Sequence, residues 1–216
     1  MTTELDATYR LSAPLDEVMR ARTSLVRLRP DPIDDETLLA ILELANQATL
    51  KSHKSIEWIV LRDPDVKHQM ARIYRQGWSI YRRLSRSASP DEIAARQWES
   101  DHFEDTPVLV VACIHGRRPA LPVTAVRYYA SALPAVQNLL LAARAVGLGA
   151  TMTTLPVWEG WEARRTLGLP WHITPVAVVP LGWPRDEPTP ANPRPVAESI
   201  HLDRFGQQPF LGRPLR

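Results

Sequence analysis

The chain has 216 residues, enough for one domain or two small ones, and a chain of that size buries about 70% of the surface its unfolded form exposes. Hydrophobic residues make up 44% and charged residues 23%, a balance that excludes a disordered chain. Twenty-six bases against 24 acids leave a net charge of +2, which excludes a nucleic-acid partner recruited by charge alone.

Residues 1–13 are polar and read as an N-terminal arm. They carry early acids and no apolar stretch, so neither a secretory leader nor a membrane span is expected. From Pro14 the sequence suits a short helix with acids at its start. Pro30 and Pro32 then stop helical structure, and Asp34 or Asp35 can cap the next helix. Leu38, Leu39, Ile41, Leu42 and Ala45 form a 3.6-period stripe, predicting an amphipathic helix over 36–48. The run from Ile56 to Arg62 reads as a strand. Asp63 and Pro64 open a helix with Val66, Met70, Ile73 and Tyr74 on one face. Residues 76–103 are Arg-rich and read as helix, break at Ser89-Pro90, then helix.

Residues 106–115 are continuously apolar, as a strand buried on both faces requires. Residues 123–147 form the longest apolar segment and read as a central helix, with Pro134 either kinking it or marking its start. A short strand over 149–154, a helix over 157–168 and a buried strand over 174–183 complete the core. A Pro-rich tail over 184–216 has too few apolar runs to fold without lying across something else. The irregular order of helices and strands favours α+β over a doubly wound α/β sheet.

No Gly-rich phosphate loop and no G-x-S-x-G elbow is present. The six histidines show no metal-ligand spacing, so no metal site is expected. Cys113 is the single cysteine and lies in an apolar strand, which suits an inert thiol in a reducing, cytoplasmic setting better than a nucleophile. With no side-chain constellation for catalysis, chemistry comes either from a bound cofactor or from no catalysis at all.

Four segments carry a resemblance. They are Arg22–Ile33 (RTSLVRLRPDPI), His102–Cys113 (HFEDTPVLVVAC), Tyr128–Leu155, and Val176–Pro184 followed by Arg194–Gly206 (RPVAESIHLDRFG). In this order and nearly along the whole chain, the sequence resembles the flavin-dependent nitroreductase family. The resemblance implies one α+β domain around a mixed sheet and an intertwined homodimer with FMN at the subunit interface. Residues 76–103 would lie over the cofactor cleft, and the tail would cross to the partner.

The resemblance places Arg22, Thr23 and Ser24 on the phosphate and ribityl chain, with Arg194 adding a second guanidinium. Thr153, Thr154 and Leu155 fall beside the isoalloxazine ring, where backbone N–H groups can bond its hydride-accepting nitrogen. Trp78, Tyr81 and Tyr129 are candidates for stacking on or lining a planar substrate. No residue is assigned a catalytic role, because the cofactor carries the chemistry.

The chain also departs from the family. Ser52, Lys54, Ser55 and Ile56 replace the residues that usually surround the flavin ring, and Val26 replaces a basic residue. Ser52 and Lys54 can still offer a hydroxyl and an ammonium to the ring. The expected activity is ping-pong hydride transfer from NADH or NADPH to a planar acceptor such as a nitroaromatic or quinone. The alternatives are an FMN-dependent tailoring oxidase and a flavin-binding or storage protein without reductase activity.

Overall fold

The computed structural model describes residues 13–48, 56–84, 89–116, 129–157, 161–186 and 195–211. The expectations for the N-terminal arm up to residue 12 and for Ser52, Lys54 and Arg194 fall outside these residues.

Helix α1 (Leu15–Ala21) begins after Pro14 with Asp16 and Glu17 in its first turn. Helix α2 (Asp35–Asn46) is capped by Asp34, whose carboxylate accepts the Thr37 N–H at 2.7 Å. Strand β2 (Glu57–Leu61) leads into α3 (Pro64–Leu84), and Asp63 caps α3 by accepting the Asp65 and Val66 N–H groups. Helix α4 (Pro90–Asp101) starts at Ser89 with a complete capping box closed by Glu92. The expected break at Ser89-Pro90 is therefore a helix start with reciprocal hydrogen bonds.

Strand β3 (Val108–His115) lies at the centre of the sheet. Helix α5 (Leu133–Ala145) has Pro134 in its first turn, where a missing N–H costs nothing. Pro134 thus marks a start rather than a kink, and residues 123–128 of the longer expected helix lie outside the described part. Strand β4 (Gly149–Ala150), helix α6 (Trp161–Thr166) and strand β5 (Ile173–Pro184) follow. A two-residue strand β1 (Leu28–Arg29) closes one edge.

The strand order is β1-β5-β3-β2, with β4 also pairing β5. A mixed sheet was expected; every pair among the described residues is antiparallel. The β3–β5 register runs from Val108 opposite Leu181 to His115 opposite Ile173 and shifts at Ala112/Cys113, where Pro175 stands in β5. A bulge is where a strand tolerates a residue that cannot donate to the ladder.

The alternation of β3 divides the core. Val108, Val110, Ala112 and Ile114 pack with Ile41 of α2 and Val136 and Leu139 of α5. Leu109, Val111 and Cys113 pack on the other face with Met70 and Tyr74 of α3 and Ala163 of α6. Helices thus cover both faces, which is why β3 reads as an unbroken apolar run. Within 195–211 the chain forms one short 3-10 turn, Val196–Glu198, and leaves Phe205 93% exposed. No helix among the described residues is long and apolar enough to cross a membrane.

Candidate cofactor site

The site is built where the segment after α1 meets the loop after β4. Helix α1 ends with the Arg22 N–H bonded to the Val18 carbonyl. Arg22, Thr23 and Ser24 follow outside any helix or strand, and their side chains have no hydrogen bond or ion pair with the described residues. The Leu25 N–H then bonds the Ala150 carbonyl at 3.2 Å. That bond ties the chain just after Arg22–Ser24 to the residue just before Thr151.

Close approach here depends on glycine. Gly149 of β4 is paired with Gly182 of β5. A Cβ on Gly149 would stand 2.7 Å from Leu28 Cδ2 and 3.2 Å from Leu25 Cβ, so the Leu25–Leu28 chain lies flat on the sheet only because both positions lack a side chain.

Past β4, Thr151 is buried with its hydroxyl unpartnered among the described residues. Thr153 is bridged to Val178 through both backbone groups at 2.8 and 2.9 Å. The Leu155 N–H donates to the Thr153 hydroxyl oxygen at 3.3 Å. Thr154 is exposed, and its N–H has no partner among the described residues. Of the three N–H groups expected to face a ligand, only that of Thr154 is uncommitted. Helix α3 presses on this loop at Gly77, where an added Cβ would meet the Leu155 carbonyl oxygen at 3.2 Å.

Beneath the loop lies a charged group that sequence reasoning missed. Glu99 of α4 is 3% exposed. Its Oε2 accepts from the Tyr74 hydroxyl at 3.0 Å and from Arg96 Nη1 at 2.8 Å, while Oε1 is buried without a partner. Burial pushes the Glu99 carboxyl above the usual carboxylate range, and the Arg96 charge and the two hydrogen bonds offset only part of that. Burial and the Glu99 charge also push the Tyr74 phenol up, so it keeps its proton. The only sequence signals were an unremarkable Arg-Glu pair three residues apart and a tyrosine on an apolar helix face.

The raised Glu99 value has a consequence for stability. Between the unfolded and folded values the native state binds the extra proton, so this group's contribution falls as pH rises through that interval. Glu99→Gln removes that slope. The melting temperature of the variant should gain on the wild type as pH rises above the ordinary carboxylate range, and parallel melting curves would contradict the assignment.

The aromatic candidates separate. Trp78 is 4% exposed, and its indole N–H donates to Gln97 Oε1 at 2.9 Å. It docks α3 onto α4 and has no open face for a substrate. Tyr81 is 46% exposed and stacks on Trp78 at 5.9 Å between centroids. Tyr129 packs against the α2/α5 core, across the sheet from α3 within this chain. Helix α4 is also fastened at Trp98, with the guanidinium groups of Arg27 and Arg185 5.9 and 6.0 Å from the ring centroid and His102 stacked at 4.1 Å. Cys113 is fully buried, which pushes its thiol up to about 12 and leaves it protonated at neutral pH.

An antiparallel sheet covered by helices on both faces defines an α+β protein. The sequence model of the nitroreductase family matches residues 19–183, and the chain belongs to that family. A protein of Methanothermobacter thermautotrophicus named for NADH dehydrogenase and NAD(P)H nitroreductase activity is 36% identical over 87 residues, covering 39% of this chain and 44% of the relative. Iodotyrosine deiodinase 1 of Homo sapiens is 28% identical over 181 residues, covering 80% of this chain and 62% of the relative. The chain thus spans less than two thirds of these curated relatives. The 5,6-dimethylbenzimidazole synthase of Rhodospirillum rubrum is 29% identical over 210 residues, with 93% and 92% covered. Among solved structures, an iodotyrosine deiodinase bound to FMN and 3-iodo-L-tyrosine superposes with a TM-score of 0.69 at 21% identity, covering 90% of this chain and all of that one. The NADPH:FMN oxidoreductase of Vibrio harveyi, complexed with NAD+, gives 0.66 at 18% identity, with 89% and 78% covered.

Proposed function

We propose that this chain is an FMN-dependent oxidoreductase that takes hydride from NADH or NADPH and delivers it to a planar acceptor such as a nitroaromatic or quinone. The observation that carries this reading is the Leu25–Ala150 bond, which joins the free Arg22, Thr23 and Ser24 side chains to the loop holding the uncommitted Thr154 N–H. The donor set fits the cofactor: a guanidinium and two hydroxyls suit a phosphate and a polyol chain, and one outward N–H suits a ring nitrogen. When bound, FMN supplies the hydride-accepting ring.

The protein's part is holding and orienting. Arg22 and Arg194 neutralise the phosphate, and Thr23 and Ser24 bond its oxygens and the ribityl hydroxyls. The Thr154 N–H fixes one ring edge, and Ser52 and Lys54 serve the pyrimidine edge. Tyr81, on the exposed side of α3, offers the aromatic face left to a substrate.

In this reading the protein works in the cytoplasm as a homodimer. An apolar groove lined by Leu15, Val18, Leu44, Leu141 and Ala142 runs between α1, α2 and α5. Leu15 and Met19 beside it are 67% and 58% exposed, as a face that a second copy covers would be. The tail crosses to that copy.

A second reading is an FMN-dependent tailoring oxidase acting on one metabolite. It is favoured by the near full-length match to 5,6-dimethylbenzimidazole synthase. Anaerobic addition of NADH or NADPH to the FMN-loaded protein tests the first reading: the flavin's visible band should bleach and return on adding a quinone. Bleaching reversed only by oxygen would favour the oxidase. A band that neither donor bleaches would contradict the first reading and leave a flavin-binding protein or an oxidase whose flavin only its own metabolite reduces.

A further inference from the structure

We infer that Trp98 of α4 is a positioning residue: by holding the Arg27 and Arg185 guanidinium groups at its ring, it ties α4 to the segment that carries Arg22, Thr23 and Ser24. The inference rests on the functional reading above for the ligand that this segment meets. It starts from the register of the sheet edge. Leu28 stands opposite Pro184 and Arg29 opposite Trp183, so Arg27 falls opposite Arg185 at the next step. The Arg185 N–H donates to the Arg27 carbonyl at 3.0 Å, which closes that step. Like charges opposite each other across a strand pair repel. This corner of the sheet is therefore stable only with groups that receive the two cations.

Three groups do so. Asp186 lies 3.8 Å from Arg27 Nη1, an exposed and weak pair. The Leu28 carbonyl accepts from Arg185 Nε at 3.0 Å. Of the three, Trp98 addresses both cations, with its ring centroid 5.9 Å from the Arg27 guanidinium carbon and 6.0 Å from that of Arg185. The half-buried indole is itself held in place. His102 stacks nearly parallel to it at 4.1 Å, and His102 Nδ1 donates to the Trp98 carbonyl at 2.9 Å.

The contact matters because of where Arg27 sits. Two residues before it, Leu25 is bonded to Ala150, and Arg22, Thr23 and Ser24 come directly before Leu25. Without the indole the two guanidinium groups push β1 from β5, and the Leu25–Ala150 bond opens more often. Anything that lifts α4 is thereby felt at the donors of the cofactor segment.

Amide exchange in the FMN-free protein, paired with FMN titration, tests this. Trp98→Leu keeps apolar bulk and removes the π face, whereas Trp98→Phe keeps a π face. Two exposed cation–π contacts are together worth about a factor of five. Leu25 amide exchange should therefore quicken, and FMN affinity fall, about fivefold in Trp98→Leu. Trp98→Phe should recover most of both. Amides of β3 should exchange as in the wild type, which separates a loosened edge from a loosened fold. Adding Arg27→Met to Trp98→Leu should slow Leu25 exchange again, because it removes one of the two repelling charges. If Trp98→Leu does not fold, Trp98→Met, longer and more adaptable, takes its place in every comparison. Unchanged Leu25 exchange would overturn the inference, as would faster exchange with unchanged FMN affinity. So would a Trp98→Phe variant as impaired as Trp98→Leu, or a double variant whose exchange stays fast. A wild-type protein that takes up no FMN would overturn the functional reading instead, while the exchange data would still judge the clamp.

Discussion

Arg22→Ala should weaken FMN binding by roughly 10- to 100-fold, the range for removing a charge-assisted hydrogen bond to a charged group. Arg22 is half-buried at the end of α1 and has no partner among the described residues. Its replacement breaks no native ion pair there, so fold stability should change little while affinity drops. That split makes the variant informative: a surface arginine would change neither quantity, and a structural one would change both. Arg194→Ala should add to the loss if, as proposed, both guanidinium groups address one phosphate. Fluorescence titration of FMN against the single and double variants measures this. Wild-type affinity in both single variants would remove the phosphate assignment.

Gly182→Val should lower stability and FMN affinity together. A Cβ at residue 182 would stand 3.0 Å from Leu28 Cβ and 3.1 Å from Pro107 Cδ. Neither neighbour is the free end of a flexible side chain, so strand β1 and the segment before it must move. Overpacking of this kind costs roughly 1–3 kcal/mol, and each kcal/mol lowers the melting temperature of a domain this size by about 2–4 °C. The displaced segment carries Arg22, Thr23 and Ser24 through Leu25, so affinity should fall with stability. Thermal melting and FMN titration on the same sample test the coupling. A protein destabilised as expected that binds FMN at wild-type strength would show that the Leu25–Leu28 chain does not position the site.

The elements were legible because their patterns are local. The stripe from Leu38 to Ala45, the helix-start signals at Asp34 and Asp63, the break at Ser89-Pro90, and the apolar run of β3 each specify an element boundary or an element from residues near in sequence. Family membership was legible for a different reason, since four separated motifs occur in one order. The site was legible only in part. Arg22–Ser24 and Thr153–Leu155 were marked by resemblance, but the bond that joins them connects residues 25 and 150, a distance no local pattern encodes. Tyr74, Arg96 and Glu99 were invisible for a related reason. A glutamate on a helix reads as solvent-facing until the fold buries it. Trp78 shows the converse: an aromatic in a segment expected to cover a cleft proved to be the contact that holds two helices together.

The central claim is that free donors on both sides of the Leu25–Ala150 contact hold one FMN. The direct measurement is the visible spectrum of the purified protein during titration with FMN. The predicted result is a perturbed flavin band that saturates at one FMN per chain and that Arg22→Ala shifts to higher FMN concentration. A spectrum identical to free FMN throughout the titration would contradict it.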